Sequence, residues 1–161
     1  MIKLNFNKDL TNFDLINLSK ELHLKLNGVY MKDELKTNLK NGNYILNLEN
    51  HNQGGSHWVC FIKHNKSIYY FDSFGVQMPQ NELDIFKQNH DNIFYSNVQI
   101  QSITSILCGY FCIAYLYCVN KFNGNIDDKI LKFQKLFNWN NQKNNDKVLK
   151  LLYKQIIYNN E

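Results

Sequence analysis

The stretch Ser56–Ser73, SHWVCFIKHNKSIYYFDS, holds two runs rich in β-branched and aromatic residues, HWVCFI and IYYFDSF, parted by KHNKS. Such a pattern predicts a β-hairpin. With a four-residue loop, Lys63 to Lys66, Ile62 faces Ser67 and Phe61 faces Ile68. The same register carried outward sets His57 opposite Asp72. Opposed Cβ atoms lie about 4.5–5.5 Å apart, within reach of a carboxylate–imidazole hydrogen bond. A carboxylate there fixes the histidine tautomer, stabilises the charged ring and leaves the second ring nitrogen free. A one-residue slip would put the two on opposite faces.

Around the hairpin, TNFDLINLSKELHL (11–24) has near-helical apolar spacing, and Thr11 with Asp14 forms a capping-box pattern. NGVYMKDELKTNLKNGN (27–43) is polar and reads as a loop or short helical turn, and YILNLEN (44–50) as a strand. The only proline, Pro79, precedes a predicted helix, NELDIFKQNH (81–90), and NIFYSNVQI (92–100) returns to strand composition. From Cys108 the pattern is helical in three segments, CGYFCIAYLYCVNKF, DDKILKFQKLF and NDKVLKLLYKQIIY. In the last, Val148, Leu151, Leu152 and Ile156 mark the expected apolar stripe. Helix, several strands, then helices predict a single α+β domain, residues 1–161, with a central mixed sheet flanked by helices.

The 161 residues, 44% hydrophobic and 14% aromatic, suffice for one core. Nothing approaches the ~18 apolar residues of a membrane span, and the first ten residues lack a signal-peptide pattern. A soluble protein of a reducing compartment is expected, with its four cysteines as free thiols because three crowd into one segment. All positive side-chain charge is lysine, and asparagine is abundant but scattered, a pattern that A/T-rich codon usage explains. A net charge of +4 permits an acidic partner without demanding one.

Three of the four cysteines lie in Gln101–Cys118, QSITSILCGYFCIAYLYC. Cys112 and Cys118 fall inside the helical pattern, amid Tyr110, Phe111, Ile113, Ala114 and Leu116, as core residues. Cys108 falls where that pattern begins, and unpaired N–H groups at a helix start favour a thiolate. Gly109, without a side chain, would let a substrate backbone approach. Thiolate attack on an amide needs a base and an oxyanion donor. His57 can supply the first, and the Gln101 amide with the Cys108 N–H the second. His57, Cys60 and His64 do not make a metal site: 57 and 60 point to opposite faces of a strand, and four converging ligands are lacking. No metal or cofactor is expected.

GGSHWVCF, then YYFDSFG, then QSITSILCGYFC together resemble the adenovirus-type, adenain-like cysteine proteases and, more distantly, the SUMO-type ubiquitin-like-protein proteases. The ordered motifs span about Gly54 to Cys118. The resemblance implies a cysteine endopeptidase with Cys108 as nucleophile, His57 as base and acid, Asp72 orienting it, and Gln101 in the oxyanion hole. It implies substrate binding by Gly55, Trp58 and Gly109, in a narrow cleft that favours small residues such as glycine. Strict alternation, however, puts Trp58 on the face opposite His57.

Papain-like enzymes have the reverse residue order, and chymotrypsin-like viral cysteine proteases are all-β. The orienting acid of the adenovirus enzyme is Glu, whereas Asp72 is the SUMO-type choice. No cysteine lies between Cys60 and Cys108, so a disulfide-linked activator peptide is not expected. The adenovirus enzyme uses DNA as a cofactor, and Lys129, Lys132, Lys135, Lys143, Lys147 and Lys150 can track phosphates, although a solvated helix face is the simpler reading.

The expected role is maturation of capsid or other structural precursors of a virophage or large DNA virus, in the host cytoplasm, the viral factory and the virion. The alternative is a deubiquitinase or deSUMOylase, and a catalytically silent binding module is the third possibility.

Overall fold

A computed structural model describes residues 2–52 and 57–161. Five strands form one mixed sheet in sequence order: β1 (Gly28–Met31), β2 (Gly42–Asn47), β3 (Trp58–His64), β4 (Ser67–Phe71) and β5 (Asn92–Tyr95). The β2–β3 and β3–β4 pairs are antiparallel, and the outer pairs β1–β2 and β4–β5 are parallel. The helices are α1 (Asn12–Glu21), α2 (Gln80–Lys87), α3 (Cys108–Lys121), α4 (Ile126–Gln134) and α5 (Asn145–Asn160). This is the expected α+β architecture. The Thr11–Asp14 capping box opens α1 as its sequence indicates.

Alternation along the central strands sorts two hydrophobic layers. Ile45, Cys60, Ile62 and Phe71 face α1, α3, α4 and α5, while Tyr44, Val59, Phe61 and Tyr70 face α2. Phe71 stacks on Tyr115 of α3 with centroids 4.3 Å apart, and Tyr44 on Phe61 at 4.9 Å. A buried aromatic or branched side chain contributes roughly 1.5–3 kcal/mol. These layers therefore hold α3 firmly against the sheet. Every residue of α3 from Cys108 to Val119 is buried, as befits a helix apolar on all sides.

Three expectations are corrected. The segment 27–43 contains β1, a four-residue edge strand of uniformly half-buried residues, so alternation gives it no signature. The hairpin turn is Asn65–Lys66, two residues rather than four, with His64 paired to Ser67. Asn65 takes φ 53°, a left-handed conformation asparagine tolerates, and its N–H donates to Asn41 Oδ1 at 2.8 Å. On α5 the buried stripe is Asn145, Leu149, Tyr153 and Ile156, with Val148 and Leu152 at its margin and Leu151 exposed. Among the described residues no helix is long and apolar enough to cross a membrane.

Candidate active site

The two-residue turn moves the hairpin register by two positions from the expected one. Cys60 pairs with Phe71, and continuing that register sets His57 beside Phe74 and Asp72 beside Val59. A shift of two keeps each residue on its own face, so His57 and Asp72 become diagonal neighbours instead of directly opposed ones. They still meet, with His57 Nε2 2.8 Å from Asp72 Oδ1. The His57 ring also stacks on Phe74, centroids 4.8 Å apart.

Asp72 lies beyond the strand in which its motif suggested it. β4 ends at Phe71, and Asp72–Gly75 is a tight turn closed by Gly75 N–H donating to the Asp72 carbonyl at 2.8 Å. Asp at the first position and Gly at the fourth suit such a turn. Gly75 has φ +72°, and a Cβ there would meet the Val98 carbonyl carbon at 2.6 Å, so the turn docks closely on the segment leading to Gln101. The Phe74 N–H donates to Asp72 Oδ1 at 2.9 Å, holding the carboxylate towards His57. Its side chain is only 4% exposed.

Cys108 opens α3, as the sequence pattern indicates. Its sulfur accepts the Trp58 N–H at 3.5 Å, and it lies near enough to the His57 ring to raise that ring's pKa. With Nε2 given to Asp72, Nδ1 is the ring nitrogen left for sulfur. Burial works to lower the His57 pKa, but Asp72 and Cys108 outweigh it and raise the pKa to about 9. The imidazole is therefore protonated at neutral pH.

Gln101 joins this group through Ser73, the residue after Asp72. The Ser73 hydroxyl donates to Gln101 Oε1, and the Ser73 carbonyl accepts both the Ile100 and Gln101 N–H groups at 2.9 Å. Gln101 Nε2 donates to the Ser105 carbonyl at 2.9 Å, and its second N–H has no partner among the described residues. The 99–107 loop hangs from the start of α5: Asn145 Nδ2 donates to the Ile100 carbonyl at 2.8 Å, and the Ser105 hydroxyl to Asp146 Oδ1 at 2.9 Å. Ser105 Oγ in turn accepts the Leu107 N–H at 3.2 Å, just ahead of Cys108.

The chain shares its fold with the ASFV pS273R protease. One crystal structure of that protease aligns over 89% of this chain and 66% of its own, with a TM-score of 0.52 and 16% identity. A selenomethionine structure of it aligns over 55% of this chain and 38% of its own, with a TM-score of 0.40 and 20% identity. The chain thus spans less than two thirds of that protease's length. No protein-family model matches the sequence, and no curated protein does.

The expected substrate-binding residues fare differently. Gly55 lies outside the described residues. The Trp58 indole is buried in the core, its Nε1–H donating to the Leu10 carbonyl at 2.8 Å. It packs instead of lining a cleft, and what Trp58 brings to Cys108 is its backbone N–H. The space beside Gly109 belongs to Leu10 and Leu15, whose atoms would stand 3.2–3.3 Å from an added Cβ. Its missing side chain admits the N-terminal segment, not a substrate.

Cys60 Sγ lies 3.8 Å from the Cys112 carbonyl, and His64 is exposed at the end of β3. Among the described residues no three His, Cys, Asp or Glu side chains gather as a metal-binding set. Of the six lysines considered as phosphate contacts, Lys132 lies over the Phe122 ring at 4.4 Å and Lys150 over Phe6 at 5.7 Å. Ser73 and Phe74 were the residues missed. The turn pattern of DSFG was the one signal that placed them beside the site.

Proposed function

We propose that the protein is a cysteine endopeptidase with Cys108 as nucleophile, His57 as base and acid, Asp72 as its orienting carboxylate and Gln101 as oxyanion donor. The observation that carries this reading is the His57–Asp72 pair at 2.8 Å beside Cys108, which opens α3 and whose sulfur accepts the N–H of Trp58, the residue after His57. His57 takes the thiol proton, and Cys108 attacks as the thiolate.

The sulfur adds to the substrate carbonyl carbon, an S–C bond forms, and the C=O π pair moves onto oxygen. The Gln101 side-chain N–H and the Cys108 backbone N–H receive that oxyanion. Its collapse breaks the C–N bond, and the departing amine takes the proton from His57. Water then attacks the thioester and gives a proton to His57, and cleavage of the C–S bond releases the acid and restores the starting pair.

The fold shared with a viral protease supports a protein substrate of viral origin, a capsid or other structural precursor cut beside a small residue. The lysines of α4 and α5 read as a solvated face, and the reaction requires neither nucleic acid nor a disulfide-linked peptide. The test incubates the purified protein with structural precursors from its own genome and with C-terminally extended ubiquitin and SUMO. Cleavage of a precursor, lost in Cys108→Ala, is expected. Cleavage of the ubiquitin-like fusions alone moves the assignment to a deubiquitinase or deSUMOylase. Precursor cleavage that survives Cys108→Ala overturns the nucleophile.

A further inference from the structure

We infer that Ser73 is a positioning residue, whose hydroxyl holds the Gln101 carboxamide in the orientation that presents N–H, not C=O, to the oxyanion. The inference rests on the proposed role of Gln101. A carboxamide has two ends of similar shape and opposite polarity, and a half-turn would bring a negative oxygen to the site that must receive negative charge. The Ser105 carbonyl opposes that turn, and the Ser73 hydroxyl anchors the oxygen end in place. The Ser105 carbonyl, an acceptor only, requires Nε2 on its side, at 2.9 Å. The Ser73 hydroxyl donates to Oε1 on the other. One N–H of Nε2 is left for the substrate oxygen.

Ser73 is fully buried and Gln101 is 1% exposed, so bulk water does not substitute for this contact. The backbone of the same serine fixes the backbone of the same glutamine, through its carbonyl and the Gln101 N–H at 2.9 Å. Asp72, one residue earlier, carries His57. A single dipeptide on the turn after β4 therefore sets both the proton carrier and the oxyanion donor. The Asp72 side chain serves the former and the Ser73 side chain the latter.

Two reagents that attack the same sulfur separate this role from a structural one. Iodoacetamide alkylates the Cys108 thiolate with loss of iodide and forms no oxyanion. p-Nitrophenyl acetate acylates it through a tetrahedral oxyanion, forming the S–C bond and expelling nitrophenolate.

Gln101→Ala is expected to slow acylation about 100-fold, and Ser73→Ala, acting through it, about 10-fold. Both should leave alkylation within about twofold of wild type, Ser73→Thr should restore acylation, and Ser73→Ala should add nothing to Gln101→Ala. Ser73→Gly, also lacking the hydroxyl, is measured alongside in case the alanine variant misfolds. Wild-type acylation in the folded hydroxyl-free variants, with Gln101→Ala slow, overturns the role of Ser73. So does an equal slowing of both reactions, which marks a structural residue. Wild-type acylation in Gln101→Ala, or a Cys108 inert to both reagents, instead overturns the catalytic reading on which the inference stands.

Discussion

Cys108 and Cys112 stand one turn apart on α3 and touch the two ends of one residue, Trp58, in opposite senses. Cys108 Sγ accepts the Trp58 N–H at 3.5 Å, whereas the Cys112 thiol donates to the Trp58 carbonyl at 3.4 Å. Beside Cys108 is the His57–Asp72 pair, while around Cys112 is apolar core, and burial drives its thiol pKa well upward. Burial likewise pushes the Cys118 pKa up to about 12. Residue type and helix are the same, so surroundings alone divide the proposed nucleophile from packing residues.

The largest expected effect separates the two directly. Cys108→Ala should lower peptidase activity at least about 10⁴-fold with little change in melting temperature. Cys112→Ala should keep most activity and lose about 1 kcal/mol of stability, as a small cavity in the core costs. Kinetics and thermal melts on both variants check this, and reversed phenotypes would break the division. Next, His57→Ala should slow iodoacetamide labelling of Cys108 about 10²-fold or more at pH 6–7, and Cys60, Cys112 and Cys118 should stay unlabelled in the native protein. Peptide mapping reads the result, and equal labelling of all four thiols would erase the distinction.

A third experiment concerns the proton. His57 has a raised pKa, so its contribution to stability is fully present below pH 6.5 and is lost as pH rises through about 9. NMR titration of the ring should find a midpoint near 9, and Asp72→Asn should move it down towards the ordinary histidine range. An unchanged midpoint in that variant would remove Asp72 as a cause. The smallest effect is at Gly109→Ala. Better helix propensity, about 1 kcal/mol, offsets contacts at 3.2–3.3 Å with Leu10 and Leu15 that cost about 1–3 kcal/mol. A net loss near 1 kcal/mol with catalysis retained is expected, whereas a stable but inactive variant would return Gly109 to the substrate path.

The sequence is legible where physics repeats. The thiol at the helix start, the buried cysteines after it and the strand pair before it all follow from local pattern. The hairpin register did not, because KHNKS accommodates a four-residue loop or a two-residue turn equally well. The His57–Asp72 meeting survived that error since the displacement was even, and an odd one would have destroyed it. β1 was hidden by its length and uniform half-burial. Ser73 was hidden for another reason: a serine after a strand is ordinary turn chemistry, and its partner lies 28 positions away. The same long-range blindness misread Gly109, since only the folded chain shows Leu10 and Leu15 arriving there.

The attachment of the 99–107 loop to Asn145 and Asp146 sets an order of events during synthesis. The sheet and α3 are complete by residue 121, yet the loop between them gains its remaining anchors only after the start of α5 has left the ribosome. A nascent chain therefore brings His57, Asp72 and Cys108 together well before the loop that carries Gln101 is secured.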